Sequence, residues 1–352
     1  MRDAPIPLSG RSEIRGCSAQ WLSTKRGSRV NGIAMKSTSQ KPEGVGALWK
    51  RLGIERRMRE PVNPQPQSSS EPPPPPDTTT PATGTRLSAA EIHENVRVAA
   101  EEEMRRPARD LAWSSIAAGL TIGFSFLAAA YLTLWVPPAF APLAIAAGYP
   151  LGFIFVVQAR NQLFTENTLE PVIPFLQRRD RATLVGVFRL WTIVLFGNLA
   201  GAFAFGVLAA HTPLLDGPMQ RALLSVATQG TSGGFGMVVY RAIFGGWLVA
   251  LMAWLVSSTR ATGAQVLYIW ITTAPIAAFG FRHSIAGAVE AFYLAISGAA
   301  TWSAMIGAFL IPAIIGNVIG GVVLVALLNH GQVGEDAQNT VGPGKGKAPD
   351  VS

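Results

Sequence analysis

The sequence predicts an all-α membrane protein with six transmembrane helices, arranged as an inverted three-plus-three repeat in which the second and fifth helices are broken. Three observations lead there. Six apolar segments run close to the roughly 20 residues that span a hydrocarbon core. Only 14% of the 352 residues are charged, against about 25% in soluble domains. Basic residues gather in alternate loops.

The chain opens on a polar tail. Residues 1–86 hold 14 of the 29 Lys+Arg and 7 of the 21 Asp+Glu, so most of the net +8 resides there. The tail is rich in Arg, Ser and Pro, with a run from Pro72 to Pro76. Such a segment buries too little apolar surface to offset its ordering entropy and reads as a disordered cytoplasmic tail. It has no apolar stretch of a secretory signal, and a start at Met35 or Met58 is compatible with it. A basic tail ahead of a membrane domain fits an anionic lipid surface rather than nucleic acid, for which no folded motif is present. Cys17, the single cysteine, excludes a disulfide framework and a cysteine metal site.

The transport domain is expected over 87–330, led by an amphipathic helix over 88–106. Ser88 and Glu91 form a capping box, and Ile92, Val96, Ala99 and Met104 mark an apolar stripe among charges. That helix lies free in water, along the interface, or against a neighbouring subunit. The expected spans are Leu111–Val136, Ala139–Ala159, Leu184–Ala210, Met237–Val256, Ala264–Gly280 and Ser303–Leu328. A second polar tail occupies 331–352. Arg105, Arg106 and Arg109, then Arg178, Arg179 and Arg181, then Arg260 mark the cytoplasmic loops, which places both termini inside.

Two segments are interrupted. Arg160–Asn167 follows the second span and Phe281-Arg282-His283-Ser284 the fifth, each leading into a second half-helix. Backbone leaves the helix at membrane depth only where protein buries it or it lines a cavity, and paired breaks in two halves point to a transport site. The halves correspond. Gly197-Asn198-Leu199-Ala200-Gly201 matches Gly316-Asn317-Val318-Ile319-Gly320, with Thr165 33 residues before Asn198 and His283 34 before Asn317. Chance recurrence of small residues at helix contacts is the competing reading.

His283 is the central candidate. Histidine changes charge near neutral pH, and an ionisable group inside a membrane is costly unless it lines a cavity. The plainer reading is a packing histidine bonded to a neighbouring helix. Arg282 and Glu290 flank it and either pair across the break or leave Arg282 to attract an anion. Arg189 and Arg241 are expected to pair with Glu166, Glu170 or backbone carbonyls. Half-helix dipoles directed at a break favour an anion.

The strings Leu163-Phe164-Thr165, Phe196-Gly197-Asn198, Gly280-Phe281-Arg282-His283-Ser284-Ile285-Ala286 and Ile315-Gly316-Asn317-Val318-Ile319-Gly320-Gly321 resemble the formate/nitrite transporter family over about 90–330. The resemblance implies an aquaporin-like fold and a homopentamer whose protomers each carry a pore for small monovalent anions, often with a proton. It implies that Thr165 faces His283, with Asn317 beside them, that Leu163, next to Phe164, marks a constriction, and that Tyr149 and Phe153 fall near another. The chain departs from the family pattern at Arg282, where an acidic residue is usual. It departs again at Gly233, Gly234 and Gly236, a region that often holds a lysine, at Ala250 in place of an asparagine, and at Gln158-Ala159-Arg160.

The function expected is therefore an anion channel or transporter of the bacterial inner membrane, without cofactor or metal. His283, bonded to Thr165, would donate a proton to the passing anion. A neutral-solute channel and a non-transporting membrane adaptor are the alternatives. An enzyme is disfavoured, because Ser284 sits too close to His283 in sequence to form a nucleophile–base pair and no Asp stands nearby.

Overall fold

A computed structural model of the chain describes residues 87–213, 215–327 and 331. The two expected tails lie outside these residues, except Gly331. All regular structure among the described residues is helical.

Helix α1 (Ala89–Arg105) starts on the expected capping box, with Ser88 Oγ accepting from the Glu91 amide. In return Ser88 N–H (2.7 Å) and Oγ (2.8 Å) donate to Glu91 Oε2 and hold its carboxyl below its ordinary range. Its buried residues are His93, Val96 and Ala100; of the expected stripe Val96 is buried, Ile92 and Met104 pack partly buried against the core, and Ala99 is exposed. His93 joins this face through packing: its ring meets Trp254 edge-on at 6.4 Å. Glu101 binds Arg97, Arg105 and Arg178, tying the helix to the bundle.

Next come α2 (Ala108–Thr121) and α3 (Gly123–Thr133), a 3-10 turn at Pro138–Phe140, α4 (Ala141–Gly148) and α5 (Pro150–Gln158). Short α6 (Val172–Arg178) precedes the long α7 (Arg181–His211), whose N-cap Asp180 accepts from the Thr183 amide. Helices α8 (Gly217–Thr231), α9 (Phe235–Val256), α10 (Thr262–Ala278) and α11 (Ser284–Ile296) follow. The last run is π-helical over Ala304–Leu310, α-helical as α12 (Ile311–Ile319), then π-helical again over Gly320–Leu327.

Five helical runs are long and apolar enough to cross a membrane: Ala108–Thr133, Pro138–Gln158, Arg181–His211, Phe235–Val256 and Ala304–Val323. The remaining expected segment, Ala264–Gly280, is α10, which has 17 residues. The bundle turns large apolar side chains outward, among them Trp113 (66% exposed) and Phe196 (66%), as a lipid-facing or subunit-facing surface does.

Helix α8 is an addition to the expected order, in the connection between the third and fourth expected spans. Its signals are nonetheless present. Asp216 caps it, Pro218 falls in the first turn, and Met219, Ala222, Leu223, Val226 and Ala227 form its buried stripe.

Glycines bring the helices close. A Cβ on Gly201 would strike the Ile116 carbonyl oxygen, and one on Gly320 the Ile243 carbonyl oxygen. Backbones at this separation tolerate no side chain, and so α7 lies on α2, and the last run on α9, through small residues. Of its expected partners among the described residues, Arg189 takes backbone carbonyls. It donates to the carbonyls of Met104 (3.3 Å) and Arg106 (2.9 Å), at the junction of α1 and α2.

Helix α5 ends on the hydrogen bonds Arg160 N–H to Val157 O and Asn161 N–H to Val156 O, each 3.0 Å. This is a Schellman ending, which places Arg160 in the left-handed region at φ 54°. An L-residue there costs about 1–2 kcal/mol that glycine does not. Arg160→Gly is therefore expected to raise the thermal midpoint of the solubilised protein, read by gel filtration after heating. An unchanged midpoint would mean that the arginine side chain offsets the strain.

Candidate functional site

The site lies where two helices stop. After α5 the backbone leaves the helix at Arg160 and continues as turns to Pro171. After α10 it does so from Phe279 to His283, ending with Gly280 N–H to Ala277 O (3.2 Å) and Phe281 N–H to Ile276 O (2.8 Å). Gly280 stands at φ 66°. The two endings are built alike, with Gly280 where the first break has Arg160.

Each break is held by one buried asparagine. Asn198 Oδ1 accepts from Phe164 N–H (2.8 Å), and its Nδ2 donates to the carbonyls of Ser115 (2.8 Å) and Gln162 (2.8 Å). Asn317 Oδ1 accepts from Ser284 N–H (2.7 Å), and its Nδ2 donates to Ala242 O (2.8 Å) and Arg282 O (3.0 Å). Non-helical backbone at such depth has no ladder of its own, so its N–H and C=O need these side-chain partners. The bonds also set a correspondence: Gln162 with Arg282, Leu163 with His283, Phe164 with Ser284. Distances in sequence align Thr165 with His283, but by hydrogen bonding the counterpart of His283 is Leu163. Thr165 crosses over to be its partner.

His283 is the N-cap of α11. Its Nδ1 accepts from the Ala286 N–H at 3.0 Å, and its Nε2 lies 2.7 Å from Thr165 Oγ1. A backbone amide can only donate, so Nδ1 carries no proton and the ring hydrogen sits on Nε2, directed at Thr165. The Thr168 hydroxyl in turn donates to Thr165 O (2.7 Å). Phe153 stands edge-on to the imidazole at 4.9 Å, and Tyr149 lies beside Phe153 at 5.3 Å between ring centroids.

A cavity of about 380 Å³ opens on one side of this pair. His283, Gly287 and Glu290 line it from one stripe of α11, at i, i+4 and i+7. Tyr149, Arg241, Arg282, Gln229 and Ser232 complete its polar wall. The Arg282 guanidinium donates to Gln229 O (3.0 Å), Ser232 O (3.0 Å) and Ser232 Oγ (3.2 Å). It thus caps the C-terminus of α8, where a cation is favoured. Its Nε is buried and has no hydrogen-bond partner among the described residues. Arg282 and Glu290 form no direct pair: among the described residues every ion pair lies in the α1 cluster or joins it to Arg178.

The eight candidate residues are all buried. The structure brings together His283, Thr165, Phe153, Tyr149 and Arg282. Asn317 serves the backbone. Phe164 packs on Trp191, 6.2 Å between ring centroids, and Leu163 is fully buried at the first break. Asn198, Gln229 and Ser232 are additions to the candidates. Asn198 is visible in the repeated Gly-Asn string, whereas nothing local marks the α8 pair.

Helical runs fit to cross a bilayer, with two buried breaks meeting at a polar pair, define a multi-pass membrane protein of the channel or transporter type. The family model described as Formate/nitrite transporter matches residues 90–331, and the chain belongs to that family. Its relatives include inner membrane protein YfdC of Escherichia coli (strain K12), 35% identical over 254 residues, covering 71% of this chain and 81% of that protein. The probable formate transporter of Methanothermobacter thermautotrophicus is 29% identical over 265 residues, 68% of this chain and 95% of that one. Among solved structures, a pentameric formate channel with formate bound aligns with TM-score 0.51 at 24% identity, over 63% of this chain and 95% of that one. An FNT family ion channel aligns with TM-score 0.55 at 23% identity, over 68% and 94%.

Proposed function

We propose that the chain is a channel for small monovalent weak-acid anions of the formate or nitrite kind, working as a homopentamer in the bacterial inner membrane with both termini cytoplasmic. The six segments then form two inverted halves of three in an aquaporin-like arrangement. The observation that carries the reading is the buried His283–Thr165 pair, at the meeting of two breaks and beside a cavity lined by Arg282 and Arg241.

In this reading the guanidinium groups draw an anion into the vestibule. The apolar rings of Phe153 and Phe164, with Leu163, oppose a bare charge, so a proton accompanies the anion through the constriction. His283 offers its Nε2–H as a fixed donor to the passing species. For the ring to carry protons on both nitrogens, it would have to give up the cap on Ala286.

Two measurements test this. Proteoliposomes are screened with formate, nitrite, lactate, hydrosulfide and chloride. Uptake of the weak-acid anions, rising with acidity, is expected. Movement of neutral solutes alone would favour the neutral channel, and no flux of any solute the adaptor. Reporter fusions after Arg181, His211 and Arg260 are expected to report inside, outside, inside. An outside signal at Arg181 would remove the proposed topology.

A further inference from the structure

Glu290 is unused by the reading above, and its position is unusual. It is 5% exposed, its carboxylate makes no hydrogen bond or ion pair among the described residues, and it lines the cavity two turns along α11 from His283. Gly230 of α8 makes its room: a Cβ there would collide with Oε2. An anion route walled by an unpaired carboxyl needs a reason, since a buried charge without a partner is costly.

A second observation is independent of the cavity. The asparagine bonds equate Leu163 with His283, and counting seven residues on from each gives Glu170 and Glu290. Glu170 also makes no side-chain hydrogen bond or ion pair among the described residues. Each break is thus followed, at the same distance, by an unpaired carboxyl.

We propose that Glu290 hands a proton to the anion entering this vestibule, and that Glu170 is its counterpart at the other end. The inference rests on the weak-acid reading above. In the step, the O–H bond of the Glu290 carboxyl breaks and an O–H bond forms on the anion. A neutral acid results, and the negative charge moves to Glu290. The neutral acid crosses the ring of Phe153, His283 and Thr165, then loses its proton to the Glu170 carboxylate. Water protonates Glu290 again on one side and takes the proton from Glu170 on the other. One anion and one proton cross together.

The surroundings suit the step. Arg282 and Tyr149 act electrostatically on Glu290, with Arg241 and His283 on the same wall. Helix α8 presents Gly230 and Gln229, and the π-helical Ala304–Leu310 presents Phe309. Helices α7 and α3 meet α11 through Gly206 and Phe126, and α12 meets it through Asn317. Arg282 is close enough to favour the charge left after transfer, yet among the described residues it binds no carboxylate oxygen beforehand. Glu166 and Glu103 face Glu170, and Glu103 is in turn held by Arg106 at 2.8 Å.

The test uses the full chain in proteoliposomes with a trapped pH dye and formate as the probe. The parent is expected to move one proton with each formate. Glu290→Gln, which keeps the shape without an exchangeable carboxyl proton, is expected to slow formate by at least about tenfold and to flatten its rise with acidity. Glu290→Asp should restore the pH profile, and Glu170→Gln should slow exit at its own side. Glu290→Gln with the parent's rate and pH profile overturns the proposal. Should that variant fail to assemble, infrared difference spectra of the parent and Glu290→Asp decide. A carboxylic-acid C=O band that responds to formate in the parent, and shifts in the Asp variant, supports the step; a band indifferent to both overturns it. A parent that moves no formate removes the weak-acid reading itself, and this inference with it.

Discussion

Asn317→Ala is expected to unfasten the second break and to lower stability by about 3–5 kcal/mol, from three partners left unsatisfied at roughly 1–3 kcal/mol each. The residue is fully buried, so water cannot replace the lost amide without a cavity rearrangement. Ser284 N–H and the carbonyls of Ala242 and Arg282 lose their bonds together. Because Arg282 and His283 lie on that strip, flux should fall with stability. Asn317→Asp separates the contributions. It keeps the acceptor for Ser284 but faces two carbonyls with a carboxyl group, and it is expected to be no better than Ala. Thermal unfolding in detergent and formate uptake check both variants. Parent-like behaviour of Asn317→Ala would mean that the break holds without its clamp. Asn198→Ala is expected to do the same at the first break.

The second large effect concerns His283, whose two nitrogens do different things. Nδ1 caps α11, and Nε2 meets Thr165. His283→Asn retains a good N-cap and loses the donor to Thr165. It is expected to fold within about 1 kcal/mol of the parent yet to conduct anions at least about tenfold more slowly. His283→Ala loses both functions, so flux and midpoint should fall together. If His283→Asn conducts like the parent at every pH, the imidazole is a capping residue only and the pathway lies elsewhere.

Much of this architecture is legible in the residues. Length and apolarity locate the long runs to within a few residues, because a bilayer demands both. The breaks are legible because polar text inside an apolar run has few explanations at that depth. The recurring Gly-Asn string marks both clamps. What stays hidden is contact across the bundle. The binding of Arg282 to the end of α8 joins residues some 50 positions apart through carbonyls, which carry no sequence signal. Charge complementarity suggests Glu290 as its partner, but at this site two backbone carbonyls and the Ser232 hydroxyl converge on the guanidinium and win. The inward place of His93 on α1 has the same origin, since it depends on where Trp254 lies. Helix α8 is a different case. Its cap, proline and stripe are all present, but a helix too short and polar to span the bilayer is masked by the long spans on either side.

The asparagine clamps have a consequence for how such a site changes over generations. They grip main-chain atoms only, so the course of the backbone through a break does not depend on which side chain stands at its centre. One break carries leucine there and the other histidine, on the same scaffold. A single substitution at Leu163 therefore alters the chemistry offered to a passing solute while the surrounding frame stays in place, and one at His283 does so where the new side chain keeps the cap on Ala286. New selectivities can be sampled from a fold that is already secure.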